Sequence, residues 1–428
     1  MDKKKNIKTI IFVSLLYSSS LIFYSRLPII ITIVVSFFYV CFLYIRLLRN
    51  YNNKETLYLC SILLIPTSTV SIIGLSCSMF PLSWFHILVI ILFIKVVLQE
   101  RVKKFYFALL SFFIGYVTVL SFITDNVFEA FKQILTISLF LSSFIIGVAI
   151  KKEPSNDLLE TSVAFYICST ISFGVQIILQ WTFINRIGII IGHYGIMGRG
   201  RIAYAGLMGD YSFATLYLAT GIMMALICYL DWSKINIIEL ISIEIFLLFT
   251  IIIVTSRTGI VAFAIVLVAY SLYHLKSIGR KTITLIAIGF TSIPIVVNRL
   301  LSVRGGQDLL DSSGRLPNYS QAISYFLKNP IWGVGLGVKN LTGRFNIGLP
   351  HNFFIQYLLQ MGIIGTVVLL LFFGEFIIND INKNSTIKWV FWIVAVGSMF
   401  IPDVFSSRFY YVIVIMCMLP EYRSCVYE

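Results

Sequence analysis

Residues 236–274 read NIIELISIEIFLLFTIIIVTSRTGIVAFAIVLVAYSLYH. Two apolar runs, 236–255 and 258–274, flank a short polar turn that carries Arg257. Each run is close to the ~20 residues that an α-helix needs to cross a hydrocarbon core of ~30 Å. A transmembrane β-strand would instead be ~10 residues long and would alternate in polarity. The stretch therefore predicts two membrane-spanning helices joined at one face of a bilayer.

The rest of the chain repeats this pattern. Of its 428 residues, 58% are hydrophobic and only 12% are charged, whereas about 25% of the residues of a soluble domain are charged. The seven cysteines contain no C-x-x-C pair, so neither a disulfide framework nor a zinc site is indicated. We therefore predict an all-α integral membrane protein with about 14 (12–14) transmembrane helices.

The apolar runs predict fourteen individual spans. They cover residues 7–24, 27–47, 56–75, 82–98, 105–123, 131–150, 160–183, 211–230, 236–255, 258–274, 281–297, 352–378, 386–402 and 405–420. The first run lacks an A-x-A-like cleavage site, so we expect it to be retained as a helix. Pro66 falls inside the third span and predicts a kink there.

Lysine and arginine are distributed unequally between the two predicted faces. If the N-terminus is cytoplasmic, the inner face receives 15 lysines and 5 arginines, and the outer face receives 10 arginines and 3 lysines. Because cytoplasmic loops carry the excess of basic residues, both termini are predicted to lie inside and both long loops outside. The outer arginines oppose that rule, and the planar guanidinium matches phosphate and carboxylate groups.

Five segments follow from this topology. They are the N-terminal transmembrane helices (1–183), a first outer loop (184–210), the central transmembrane helices (211–297), a large outer catalytic loop (298–351) and the C-terminal transmembrane helices (352–428).

The first outer loop contains GHYGIMGRGRIAYAGLMGD at residues 192–210. Its dense glycines let backbone N–H groups approach an anion, and Arg199 and Arg201 lie within them. The loop is either an anion-binding element or a flexible linker whose charges face water.

The large outer loop carries Arg304, Arg315 and Arg344. Residues 318–328 have near-helical apolar spacing and predict a short amphipathic helix on the bilayer surface, which ends before Pro330. His351 follows at the mouth of the next span. A histidine there is either a base or hydrogen-bond donor, or a cap at the interface.

Four motifs in this half of the chain resemble a known family. SRTG (256–259), SGR (313–315), NPIWGVGLG (329–337) and PHNFFIQYLLQMGIIG (350–365) are similar in order and spacing to bacterial O-antigen ligases and polymerases. These are Wzy-like polysaccharide polymerases and lipid A-core ligase-like glycosyltransferases. The R-x10-G motif that some polymerases of the family carry in both outer loops is absent here.

The resemblance implies a membrane glycosyltransferase of the bacterial cytoplasmic (inner) membrane. The donor would be a glycan on undecaprenyl diphosphate, and the product a capsule or lipopolysaccharide O-antigen. The implied catalytic residues are Arg257, Arg315 and His351, with His351 orienting or deprotonating the acceptor hydroxyl. Further arginines are implied to bind the diphosphate: Arg199, Arg201, Arg304 and Arg344.

No metal and no cofactor is predicted, because the chain has no D-x-D motif and arginines can stabilise the departing diphosphate. Asp308 and Asp311 are reserve candidates for the base. The expected partners are membrane lipid, undecaprenyl-diphosphate-linked glycans, a chain-length regulator and a flippase, with no nucleic acid.

Three functions remain open from the sequence. The first is polymerisation of lipid-linked repeat units, and the second is ligation of finished glycan to lipid A-core or protein. The third is a flippase or transporter, which Glu244 within an apolar run favours, since an acid inside a membrane is a functional candidate. The arginine-rich outer loop and the lack of a repeat between the two halves favour an enzyme.

Overall fold

The computed structural model describes residues 3–72, 82–100, 102–197, 201–274, 315–383 and 385–421. Within these ranges the chain is almost wholly helical. The α-helices are α1 (Lys3–Ser20), α2 (Ile29–Leu48), α3 (Asn53–Leu63), α4 (Trp84–Gln99), α5 (Lys104–Ser121), α6 (Val127–Lys151), α7 (Leu158–Thr182), α8 (Tyr211–Leu230), α9 (Ile237–Val254), α10 (Thr258–His274), α11 (Arg315–Lys328), α12 (Phe353–Glu375), α13 (Lys388–Gly397) and α14 (Arg408–Met418). Strands β1 (Tyr194–Met197) and β2 (Arg201–Tyr204) lie between α7 and α8.

Eight helical segments are long and apolar enough to cross a membrane. They are Lys3–Arg26, Ile29–Leu48, Lys104–Ser121, Val127–Lys151, Leu158–Ile187, Tyr211–Leu230, Ile237–Val254 and Phe353–Asp380. Four further apolar helices, α4, α10, α13 and α14, are shorter. All twelve match predicted spans and are consistent with an all-α, multi-pass membrane protein. The predicted span 281–297 lies outside the described residues, so the total of fourteen stays a prediction.

The third predicted span is interrupted. α3 ends at Leu63, and residues 65–67 form a tight 3₁₀ turn that contains Pro66. Proline has no N–H to continue a helix, and it disfavours the helical conformation of the residue before it. The prediction of a kinked helix that continues through Pro66 is therefore wrong, since the helix ends before it.

The 184–210 loop contains a β-hairpin, which a purely α-helical prediction does not include. β1 and β2 pair antiparallel, with Tyr194 opposite Tyr204 and Met197 opposite Arg201. The pairing continues below the strands, where the N–H of Ala205 donates to the carbonyl of His193 at 3.0 Å. The glycine-rich segment is thus an ordered hairpin at its base rather than a flexible linker.

Gln180 of α7 holds the base of this hairpin. Its Nε2 donates to the carbonyls of Ile191 and His193 at 2.9 and 2.8 Å. Its Oε1 accepts from the N–H of Gly206 at 2.9 Å. Because Gln180 is fully buried, the amide satisfies backbone groups that water cannot reach.

α12 is broken at Gly362, which has φ 62° and ψ −166°. This backbone conformation is essentially restricted to glycine. A Cβ at this position would lie 2.2 Å from the carbonyl oxygen of Ile331. The break therefore needs a glycine both for its dihedral angles and for the close approach of residues 330–337, here named the glycine turn.

The glycine turn replaces helical hydrogen bonds that the break removes. The bonds run from Val334 N to Leu359 O at 2.8 Å, from Gly335 N to Gln360 O at 3.0 Å and from Ile363 N to Pro330 O at 2.9 Å. Backbone groups inside an apolar bundle need such partners. The segment that follows α11 is consequently fixed to α12 by backbone contacts.

The two ends of the helical bundle differ in their charged residues. One end, the lysine end, contains the ion pairs Lys3–Asp157, Lys54–Glu100, Lys152–Glu100, Lys103–Glu375, Lys103–Asp380 and Lys234–Glu160. The other end, the arginine end, contains the hairpin, α11, the glycine turn and an ion pair of 3.5 Å between Arg344 and Asp125. Among the described residues, the lysines of these ion pairs and Arg344 thus lie at opposite ends.

Candidate active site

The arginine end is built around the first turns of α8, which is the most buried of the eight candidate spans. Asp210 precedes α8. Its Oδ1 accepts hydrogen bonds from the N–H groups of Ser212 at 2.6 Å and Phe213 at 3.0 Å. These N–H groups have no partner within the helix, so the cap stabilises the helix start. The cap also fixes the carboxylate at this point.

Arg257 lies beside the same part of α8, in the turn between α9 and α10. Thr255 ends α9 in a left-handed conformation with φ 64°. Gly259 then packs so closely on α8 that a Cβ would lie 2.3 Å from the backbone carbonyl of Thr215. Because α10 begins against α8, the half-buried Arg257 is held near the α8 N-terminus.

α11 contacts the segment that carries His351. The Tyr319 hydroxyl donates to the carbonyl of His351 at 2.8 Å, and Asn318 Nδ2 donates to the carbonyl of Leu349 at 3.4 Å. Arg315 is the first residue of α11. The helix therefore brings Arg315 to the histidine, and it begins three residues before the predicted start at 318.

The start of α12 connects His351 with α8. The N–H of Phe353 donates to the carbonyl of Ser398 at 3.1 Å. Gly397, which precedes Ser398 in the chain, packs against Leu216 of α8. A Cβ on Gly397 would lie 2.6 Å from a methyl group of Leu216. The Asp210 cap, the Arg257 turn and the His351 segment thus meet around the first turns of α8.

His351 lies between two opposite charges. Burial lowers the pKa of His351 below its ordinary value, the positive charge of Arg315 lowers it further, and the negative charge of Asp210 opposes the shift. Burial in turn raises the pKa of Asp210, against the effect of its two backbone hydrogen bonds and of His351. The net lowering of the pKa favours the neutral imidazole, which is the form that can accept a proton.

The side chain of His351 also has unused hydrogen-bonding capacity. Its Nδ1 is buried and has no hydrogen-bond partner among the described residues. Buried polar atoms are nearly always paired, so an unpaired one needs an explanation. A substrate hydroxyl is one group that fits this nitrogen.

The other predicted arginines lie elsewhere or outside the described residues. Arg344 donates to the carbonyl of Ile123 at 3.0 Å and pairs with Asp125 at the α5–α6 turn. Arg199, Arg304, Asp308 and Asp311 fall outside the described ranges, and only the backbone of Arg201 is described. The structure thus brings Arg315 and His351 together, with Arg257 on the neighbouring turn.

Asp403 forms a second polar centre at the arginine end. No role was predicted for this residue from the sequence. The Tyr357 hydroxyl donates to its Oδ1 at 3.0 Å, and its own N–H donates to Gln356 Oε1 at 2.6 Å. Burial raises the pKa of Asp403 to about 6, while Tyr357 and the charges of Arg408 and Lys132 oppose the shift. Its left-handed backbone, with φ 51°, marks a strained position.

Buried glutamines connect this centre with the glycine turn. Gln356 Nε2 donates to Gln360 Oε1 at 3.2 Å, and Gln133 Nε2 donates to the same oxygen at 3.0 Å. Gln133 Oε1 accepts from the N–H of Gly337 at 2.8 Å. The sequence signal that could have indicated this network is the pair Gln356 and Gln360, which lie four residues apart in an apolar run and therefore on one face of a helix.

Within the described ranges, no cluster of three or more His, Cys, Asp and Glu residues is arranged to hold a metal ion. The absence of a metal requirement stays a prediction.

Residues 243–370 match the family model described as O-Antigen ligase. The matched segment includes Arg257, Arg315, the glycine turn and His351. No curated protein and no solved structure matches the chain. The resemblance inferred from the four motifs is confirmed over this segment, and the match supports an O-antigen ligase/polymerase-like family.

Proposed function

We propose that the protein is a polymerase of a bacterial surface polysaccharide, an O-antigen or a capsule. It transfers glycan from undecaprenyl diphosphate onto a lipid-linked repeat unit at the outer face of the cytoplasmic membrane. The observation that carries this proposal is the half-buried His351 within the family-matched segment, whose Nδ1 has no hydrogen-bond partner among the described residues and whose segment contacts the helix that begins at Arg315. A base beside a fixed cation suits a reaction in which a hydroxyl attacks and a phosphate leaves.

The reaction is a single displacement at the anomeric carbon. His351 accepts the proton of the acceptor hydroxyl, and the oxygen forms the new glycosidic bond. The bond between the anomeric carbon and the diphosphate oxygen breaks, and the diphosphate leaves with the electron pair. Arg257 and Arg315 bind the developing negative charge, and we expect inversion at the anomeric carbon.

The remaining predicted arginines have secondary roles in this proposal. Arg201 belongs to a hairpin whose base is fixed to α7 through Gln180, and Arg199 and Arg304 precede β2 and α11 in the sequence. Each would bind the donor diphosphate or the glycan beside it. Arg344 would have to exchange its contact with Asp125 for substrate.

Ligation is the second candidate, and the description of the matched family favours it. Both reactions use the same donor and the same displacement, and they differ only in the acceptor.

Reconstitution separates the candidates. The purified full-length chain is placed in liposomes that contain only undecaprenyl-diphosphate-linked repeat units, and the products are separated by size. A glycan ladder is expected. New bonds only after lipid A-core is added would identify a ligase instead. Movement of the lipid across the bilayer without any new bond would contradict both and support a flippase.

A further inference from the structure

A small cavity lies between the starts of α2 and α4 and the segment of residues 64–72 that follows α3. It contains about 310 Å³ of space free of protein atoms, its open mouth included. Its described lining combines aromatic rings, such as those of Tyr17 and Trp84, with hydroxyl groups, such as those of Thr32 and Ser36. None of the described lining residues is charged, so the cavity suits a neutral group.

Two contacts place this cavity at the arginine end. Arg26, which precedes α2, donates from Nη2 to the carbonyl of Ile190 at 3.1 Å. The hydroxyl of Thr69 donates to the carbonyl of Leu207. The cavity therefore borders the 184–210 loop, and none of its described lining residues belongs to the candidate active site.

The described lining contains two buried polar atoms that have no hydrogen-bond partner among the described residues. They are Oγ1 of Thr32 and Nε1 of Trp84. The hydroxyl of Tyr17, by contrast, donates to Ser36 Oγ at 2.9 Å. Thr32 is only 5% exposed, and a buried polar atom without a partner is costly. Because an indole N–H can only donate, the missing partner must offer an acceptor oxygen.

α2 lies at the edge of the bundle. It is the least buried of the eight candidate spans, and Ile30 and Phe38 are 70% and 66% exposed. Thr32 lies about 4.5 Å along the axis from the first residue of α2, and Trp84 is the first residue of α4. If both helices span the membrane as the sequence predicts, the two donors lie where headgroups meet the hydrocarbon core. Tryptophan is enriched at this depth, where the ester carbonyls of glycerolipids also lie.

An ester carbonyl fits the two unpaired donors better than the other neutral oxygens of a membrane. A polyprenyl chain has no oxygen beyond its diphosphate, and a diphosphate would meet no cation among the described lining residues. A sugar would bring many hydroxyl groups to a lining in which only two described atoms lack a partner. A diacyl glycerolipid has two ester carbonyls, and each can accept two hydrogen bonds.

We propose that this cavity binds a diacyl glycerolipid of the membrane, and that Thr32 and Trp84 donate hydrogen bonds to its ester carbonyls. The acyl chains then lie against the exposed side of α2. The bound lipid satisfies both buried groups and stabilises the segment that Thr69 connects to the 184–210 loop. This inference is independent of the reaction proposed above.

Competition between two lipids tests the inference. The purified full-length protein is equilibrated with equal amounts of a diacyl phospholipid and of its dialkyl ether analogue, which has the same headgroup but no carbonyl groups. Native mass spectrometry distinguishes the two adducts by their mass. We expect the wild-type protein to retain the diacyl lipid in about 5-fold excess. Equal retention, which is the result for a cavity that holds only water, would overturn the proposal.

Thr32→Val and Trp84→Phe each remove one donor and keep most of the side-chain volume. Each should lower the excess by about 2-fold or more, and the double variant should show none. Thr250→Val and Trp392→Phe are the matched controls and should keep the wild-type excess. Thr250 already donates to the carbonyl of Leu247 in its own helix at 2.7 Å, and Trp392 is an exposed residue of α13. A wild-type excess in the double variant would show that the assigned donors are wrong.

Electron cryomicroscopy of the wild-type protein in nanodiscs of the diacyl lipid gives a readout that depends on no variant. Density for a glycerolipid should enter the cavity beside α2. Density for isolated waters only, or for sugar when lipid-linked glycan is added, would contradict the proposal. Neither readout involves glycan transfer, so a protein that forms no glycosidic bond would contradict the proposed function and leave this inference standing.

Discussion

His351 and Arg315 are coupled by charge, and α11, which begins at Arg315, contacts the backbone of His351 through Tyr319. Burial and Arg315 both lower the pKa of His351, so the imidazole remains neutral to lower pH than an ordinary histidine. The activity of a base is lost as it becomes protonated. The acid limb of the pH–rate profile should therefore lie below the ordinary histidine value of about 6.5.

Two substitutions at Arg315 separate its charge from its shape. Arg315→Lys keeps the charge and loses the planar fork, so we expect transfer to fall by about 10-fold or more. The midpoint of the pH dependence of His351 modification by diethyl pyrocarbonate, which attacks neutral imidazole, should stay unchanged. Arg315→Gln loses both, so transfer should fall further and the midpoint should rise. Wild-type transfer by Arg315→Lys would contradict bidentate phosphate binding, and an unmoved midpoint in Arg315→Gln would contradict the charge coupling.

Among the helices and turns, the break in α12 explains how two distant segments share one site. The glycine turn enters the break and makes backbone hydrogen bonds on both sides of Gly362. Arg315, at the far end of α11, and His351, at the start of α12, are thereby held by the same local structure. This rigidity suits a reaction that requires fixed geometry.

Gly362→Ala should disrupt this arrangement. The strained dihedral angles and the 2.2 Å approach to Ile331 O predict a loss of about 3 kcal/mol or more of stability. We expect a lower thermal midpoint and loss of transfer in the reconstituted assay. Gly374→Ala in the same helix is the control, because a Cβ there meets nothing within 4 Å. Equal behaviour of the two variants would contradict the role given to the break.

Sequence patterns predicted some of these elements better than others. The apolar runs identified twelve helices that the structure contains, because ~20-residue hydrophobic runs are an unambiguous signal. The break at Gly362 was not predicted, because a single glycine in an apolar run is ordinary in a membrane helix. The hairpin at 194–204 was missed because its glycines resemble those of a flexible loop.

The residues of the candidate site were singled out only where a sequence motif contains them. Arg257, Arg315 and His351 came from motif order within the matched family. Asp210 was given no role from the sequence, because its place near the His351 segment depends on contacts of α8 with the neighbouring helices. Such contacts between residues far apart in the chain leave no local pattern.

On the scale of the whole molecule, the two ends differ in their cations. Lysines form the ion pairs at one end, and arginines border the candidate active site at the other. The prediction from the sequence is that the lysine end faces the cytoplasm. Lipid-linked glycans presented at the outer face would then meet the arginine end.

Cysteine labelling tests this orientation. Gly343→Cys lies at the arginine end and Glu153→Cys at the lysine end, and both positions are exposed. A membrane-impermeant thiol reagent applied to cells with an intact cytoplasmic membrane should label only Gly343→Cys. Both variants should react after permeabilisation, and the wild-type protein reports labelling of the seven native cysteines. Labelling of Glu153→Cys alone in intact cells would reverse the topology.

The break at Gly362 also divides α12 into two lengths. At ~1.5 Å per residue, the helical residues 363–380 extend about 27 Å, which is nearly the ~30 Å thickness of a hydrocarbon core. Residues 353–361 add about 13 Å. With the topology predicted from the sequence, we expect His351 to lie beyond the hydrocarbon core. An acceptor hydroxyl would then reach the proposed base from water, while the lipid of the proposed donor stays within the membrane.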